Sequence, residues 1–432
     1  MSCSGSPGRH RRWPALGSWR RDSVIAGAGI LLGSYDLAAI SVALDPLGQR
    51  WHLSAAVATS LGTATLVGML LGSLFAGVLS DRFGRRRLVV ADAVAFVVTT
   101  VVSAAAPDFA LLAAARLGTG IAVGTDFAVV FPFVAETAPR ARGGPAMLWI
   151  MWSANFGTLA AYGAGAVLLR SWPAWGWRVT LGLGAVAALP LLAARRGLSE
   201  PVGWDRARLP SVRAILASAA ARAHRRNLTV MSAATFCYQV GDQGLGLVLP
   251  FLLATVLSAS AASGAAAALA VKAVTIPAST VAVVLIGVLG RRRLEVVGFL
   301  GRGVTLIALG GLLLVAGPVP GVVAGVLLAA GYFFGAGGPD KTTVIAPADE
   351  LPSEVRSTGQ GLCQAAGRLG GIVGVSVYGV LADVAGPGAG LVVLGVAALA
   401  GAAVSLLAPA GTRAERSPTG GGRPGPAGRA SL

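Results

Sequence analysis

Gly77-Val78-Leu79-Ser80-Asp81-Arg82-Phe83-Gly84-Arg85-Arg86-Arg87 closes one long apolar run and opens another. Residues 57–80, before it, carry few polar groups and no charge, and the apolar pattern resumes at Leu88. A run of about 20 residues at 1.5 Å rise crosses the hydrocarbon core of a bilayer. The stretch therefore reads as a short charged loop joining two membrane-spanning helices.

The whole chain repeats that pattern. Of 432 residues 55% are apolar and 12% charged, mean hydropathy is +0.73, and the formal net charge is +17. A typical soluble protein has roughly 25% charged residues, so this chain cannot coat two or three soluble domains. The basic balance first suggests nucleic acid, but the apolar content excludes such a binder. Cys3, Cys237 and Cys363 lie too far apart for a disulfide framework or a cysteine metal cluster. Twelve spans are predicted, near 23–47, 57–80, 88–106, 109–135, 145–169, 176–195, 227–253, 262–289, 294–316, 320–347, 356–382 and 387–409. The first is too long for a signal peptide and holds Asp36 at its centre.

Sorting the basic residues by loop gives the orientation. Twenty-seven of the 35 fall in the two tails and the even-numbered loops, and three (Arg50, Arg170 and Arg178) fall on the other side. By the positive-inside rule both termini are cytoplasmic, in the cytoplasmic membrane. The expected organisation is a disordered tail at 1–22, a six-helix bundle at 23–195, and a cytoplasmic linker at 196–226. A second bundle at 227–409 and a disordered tail at 410–432 complete it. The basic stretch from Ser211 to Arg226 predicts a short helix lying on anionic lipid.

The pentapeptide Gly84–Leu88 recurs at Gly290–Leu294, an offset of 206 that also carries Asp36 onto Asp242. An offset of 214 carries Asp126 onto Asp340, Glu136 onto Glu350 and Arg142 onto Arg356. Five matches in order indicate a duplicated six-helix unit. The four aspartates fall on spans 1, 4, 7 and 10, where a carboxylate costs roughly 2.5–3.5 kcal/mol and so faces a cavity. Five cations also lie within spans: Arg116, Lys272, Arg302, Lys341 and Arg368. Arg116 and Arg302 divide evenly between pairing with the aspartates and a site role; Lys341 and Arg368 are the stronger anion-binding candidates.

The opening stretch resembles the signature loop of the major facilitator superfamily. The resemblance implies an all-α integral membrane protein whose twelve transmembrane helices form two pseudo-symmetric six-helix bundles. It implies that Gly77, Asp81, Arg82, Gly84, Arg85 and Arg86 form a cytoplasmic gate latching the halves together. The second copy has Gly287 at the place of Asp81, which predicts a weaker latch there. The fourth span, from Arg116 to Glu136-Thr-Ala-Pro139, is similar to the sugar-porter and phosphate:proton symporter branches. So are Gly338-Pro339-Asp340-Lys341, Asp349-Glu350-Leu-Pro352 with Arg356, and Ala366-Gly367-Arg368. Phe127-Ala128, Asp340 and Asn155 stand where the phosphate branch has other residues, pointing away from phosphate. Gly118-Thr-Gly120-Ile-Ala-Val-Gly124 mimics a dinucleotide loop, but small residues four apart in an apolar helix are packing residues.

These readings predict a monomeric secondary transporter without cofactor, driven by a proton gradient, carrying a small polar, anionic metabolite. Asp36 and Asp126 are the expected proton carriers. Asn155, Gln239, Asp242, Gln243, Asp340, Lys341 and Arg368 are the expected substrate ligands, with Tyr238, Trp152 and Phe127 packing against the solute. A sugar or polyol symporter, a drug-like solute exporter and a non-transporting sensor are the alternatives. His10, His52 and His224 all lie outside the spans, so no enzymatic or metal site based on histidine is expected.

Overall fold

A computed structural model describes residues 18–53, 55–139, 142–200, 222–256, 260–317, 319–351 and 356–407. In chain order the helices are α1 (Ser18–Trp51), α2 (Ala55–Phe83), α3 (Arg85–Ala105), α4 (Phe109–Thr137), α5 (Gly143–Ser171), α6 (Gly176–Arg195), α7 (Arg222–Gly246) and α8 (Leu249–Val256). They continue as α9 (Ala261–Ala273), α10 (Thr275–Leu289), α11 (Arg291–Ala316), α12 (Gly321–Gly337), α13 (Pro339–Glu350), α14 (Arg356–Ala385) and α15 (Pro387–Leu406). Helices are forced on these sequences because a lipid-facing backbone must satisfy its own hydrogen bonds. Among the described residues, ten helices are long and apolar enough to cross a membrane. The helices at 143–171 and at 222–256 take the fifth and seventh places between them.

Helix α1 begins at Ser18, inside the stretch expected as tail, and the expected surface helix at 211–226 lies largely outside the described residues. The first six spans are continuous. Three of the second six are broken: the seventh between Gly246 and Leu249, the eighth at Val274, and the tenth at Gly338. Gly337-Gly338-Pro339 explains the last break, since proline starts a helix well but has no N–H to continue one.

Small residues set the packing. Gly68 and Gly72 on α2 meet Gly120 and Ile121 on α4, and Gly124 meets Met69, so that a Cβ at any of these glycines would collide with backbone. The glycine-rich run of the fourth span is thus a helix interface. The halves meet along α2 and α14, where Gly361 lies against Ser73 and Gly77.

The repeat is visible in the contacts. Gly84 (φ 98°) and Gly290 (φ 77°) both adopt left-handed backbone ahead of α3 and α11. Arg85 pairs with Glu136 at 3.0 Å, and Arg291 pairs with Glu350, the same contact in each half.

Candidate functional site

The signature loop joins the two halves. The Asp81 carboxylate accepts hydrogen bonds from the Thr358 backbone N–H (2.8 Å) and hydroxyl (2.6 Å) at the start of α14. Arg85 braces Asp81 at 2.8 Å and also holds Glu136, which Arg356 of the other half approaches at 3.6 Å. Gly77 lets the α14 backbone pass, since a Cβ there would press on the Ser357 carbonyl. Glu200 accepts from the backbone N–H groups of Arg85 and Arg86, capping α3, and the Arg86 side chain donates to the Arg196 carbonyl at 2.8 Å. Burial raises the Glu200 carboxyl above the usual glutamate range, and these two N–H groups oppose that rise. Arg82 is exposed beside Phe83. In the second copy Arg291 and Arg292 bind Glu350 and carbonyls at the end of α15, within their own half, and the space at Gly287 is open. Gly77→Val is therefore expected to weaken closure at this end. A cysteine placed at Ser357 will react with a water-soluble maleimide faster in that variant than in the parent, whereas Gly287→Val will leave the rate unchanged.

The first half holds its carboxylates in private ion pairs. Asp36 takes a 2.8 Å bond from Arg116, whose other nitrogens donate to Ser103 and Thr119. Asp126 takes one from Arg195 at 2.8 Å, and Arg195 also binds Asp92 at 2.9 Å and the carbonyls of Val89 and Ala26. Asp36 and Asp126 were expected to face the central cavity, as Asp242 and Asp340 do. Helices α1 and α4 do line it, through Ser34, Leu37 and Phe127, but both aspartates point away from it, into their own bundle. An unpaired carboxylate in this setting is costly, and a buried guanidinium within reach captures it. Arg195, expected among the cytoplasmic loop residues, is 1% exposed.

Between the halves lies a cavity of about 130 Å³. Asn155, Gln239, Asp242, Gln243, Asp340 and Arg368 line it together, as do Phe127 and Tyr238. Lys341 is buried behind the wall, its Nζ on Asp340. Trp152 lies off the cavity, its indole N–H donating to Thr280 at 2.9 Å across the halves. Asn155 makes a parallel bond to Ser279 at 3.0 Å. Asp242 is approached by Arg302 at 3.3 Å.

Two cations are left over. Arg368, 1% exposed, makes no hydrogen bond or ion pair with the described residues; its Nε and Nη2 are buried without a partner, and its guanidinium lies over the Phe127 ring at 4.9 Å. Lys272 has no carboxylate within 4.0 Å among the described residues and sits over the Tyr332 ring at 3.9 Å. The hydroxyl of Tyr332 and the Oε1 of Gln239 are also buried without partners.

At the cavity wall, Tyr162 donates to the Gly246 carbonyl at 3.3 Å, tying α5 to the break in the seventh span. Farther along the same helices a cleft of about 1300 Å³ opens between Asp45–Arg50, Ala166–Ala174 and Ser260–Ala266. One end of the molecule is latched through Asp81, and the other holds this cleft.

A family model described as Major Facilitator Superfamily matches residues 26–339. The chain belongs to that superfamily. It is 25% identical over 390 residues to the cis,cis-muconate transport protein of Acinetobacter baylyi, covering 88% of this chain and 92% of that one. It is 28% identical over 403 residues to the gentisate transporter of Corynebacterium glutamicum, covering 88% and 85%. A solved structure of the proton:xylose symporter XylE superposes with a TM-score of 0.77 at 20% identity, covering 91% of this chain and 97% of that one, which shows a common fold. The protein is a transporter and not an enzyme.

In this superfamily member the site is richer than its aspartates. Lys272, Tyr332, Tyr162, Thr158 and Thr275 line the cavity without having been assigned to it from the sequence. Two helical stripes signal such a wall. Met151, Ala154, Asn155, Thr158 and Tyr162 on α5, and Gln239, Asp242, Gln243 and Gly246 on α7, recur every three to four residues.

Proposed function

We propose that the protein carries a small organic anion across the cytoplasmic membrane together with protons, by alternating access between its two bundles. The observation that carries the reading is Arg368. A guanidinium buried at the cavity wall with unused N–H groups binds a carboxylate through charge-assisted hydrogen bonds, and Gln239 and Tyr332 add further polar groups. The carboxylate substrates in the names of the muconate and gentisate relatives support it. With the arginine-rich loops facing the cytoplasm, the latch through Asp81 closes the cytoplasmic side and the wide cleft faces outward, an arrangement ready for uptake.

Asp36 and Asp126 are the proposed proton carriers. Each rests on one arginine inside the first bundle, so gaining or losing a proton changes how tightly that arginine is held. Asp126 adjoins Phe127, which lies under Arg368 of the other half, and so links the proton site to the anion site.

The test is uptake of labelled gentisate, cis,cis-muconate and xylose into proteoliposomes with an alkaline interior, read against protein-free vesicles. At least one carboxylate is expected to accumulate and xylose is not. Asp36→Asn and Asp126→Asn are each expected to cut accumulation at least tenfold while sparing exchange at equal pH. Accumulation of xylose alone overturns the anion reading, and undiminished accumulation in either variant removes that aspartate from the coupling.

A further inference from the structure

The charge inventory of the cavity does not balance. Asp242 lies nearest Arg302 and also interacts electrostatically with Lys272 and Arg368, and Asp340 pairs with Lys341. Lys272 and Arg368 are two further cations on the wall, neither with a carboxylate within 4.0 Å among the described residues. Two carboxylates thus stand against four cations. A surplus of two positive charges at one buried site is unfavourable without counter-charge, because the low-dielectric surroundings screen it poorly.

The two cations are presented differently. Arg368 comes from α14, backed by the Phe127 ring. Lys272 comes from the last turn of α9, beside the break at Val274, with Tyr332 behind it. The two cations thus reach one cavity from different helices.

The geometry points to a substrate with two anionic groups, one bound by Arg368 and the other by Lys272 with the Tyr332 hydroxyl. The inference rests on the anion reading above and adds a second charge to it. A dianion neutralises the surplus fully. A monoanion leaves one buried cation bare, and its affinity is lower for that reason.

The test uses the full-length protein in detergent at pH 7.5, with binding read as a thermal shift. The probes are matched acids: adipate against hexanoate, and benzene-1,4-dicarboxylate against benzoate. At least one diacid is expected to bind tenfold or more tightly than its monoacid. Lys272→Gln is expected to erase that advantage; Lys272→Arg is expected to keep it. Equal binding of diacid and monoacid in both pairs, or an advantage that survives Lys272→Gln, overturns the dianion inference and leaves the anion reading standing. If none of the four acids binds while a neutral sugar does, the anion reading itself fails.

Discussion

Arg368→Gln is expected to leave the protein folded and to raise the apparent substrate constant by roughly 10- to 100-fold. The magnitude follows from losing charge-assisted hydrogen bonds worth about 1.5–3 kcal/mol, at about 1.4 kcal/mol per tenfold in affinity. Folding survives because Arg368 has no acidic partner to strand, so the glutamine removes a buried charge rather than exposing one. The unfolding temperature is therefore expected to stay level or rise while uptake at low substrate concentration collapses. The same change at Arg302, which does have a partner in Asp242, is expected to lower both stability and uptake. Measuring melting temperature and initial rates on the two variants side by side separates a binding cation from a structural one. Arg368→Gln with wild-type kinetics would remove the residue from the binding site.

The second large effect is structural. Arg195→Gln strands Asp92 and Asp126, whose side chains are 2% and 7% exposed. Removing one member of a buried ion pair typically costs about 3–5 kcal/mol. Here the same side chain also donates to the carbonyls of Val89 and Ala26, tying α6 to α3 and α1. Arg195→Gln is expected to lower the melting temperature sharply and to yield aggregated protein on size-exclusion chromatography. Adding Asp92→Asn and Asp126→Asn is expected to restore most of the stability, because three neutral amides can hydrogen-bond without a net charge. A single variant as stable as the parent would mean that the triad contributes little to the fold.

Much of this architecture was legible before any coordinates. The offsets of 206 and 214 reappear as the matched Arg85–Glu136 and Arg291–Glu350 contacts, since an ion pair needs only two residues to keep their relative places. Asp81, Arg85 and Gly77 were legible as a latch because their spacing is set by one helix turn and a tight backbone approach. The partner of that latch, Thr358, was not, because it lies 277 residues away and offers an ordinary hydroxyl and N–H. Arg195 reads as an end-of-span residue because it adjoins Arg196 at the end of an apolar run. Only the fold shows that one arginine turns inward and its neighbour outward. Asp92 carries little signal in the sequence because it sits less than two turns from the arginines of the signature loop, where a charged residue has an ordinary explanation. Asp36 and Asp126 were recognised as buried, but burial alone does not say whether a carboxylate faces a cavity or an arginine behind it. Lys272 reads as an intramembrane cation, and it lies beside the break at Val274, which Pro277 marks by withholding an N–H from the Ala273 carbonyl.

Above all, we propose that entry of an organic anion is coupled to entry of protons. The most direct measurement is proton movement itself, recorded by a pH-sensitive dye trapped in proteoliposomes when carboxylates or xylose are added outside without an imposed gradient, with protein-free vesicles as baseline. The expected result is internal acidification above baseline on adding a transported carboxylate, growing in step with its uptake and absent with xylose. Acidification driven by xylose and by none of the carboxylates, or anion uptake with no proton entry, would contradict it.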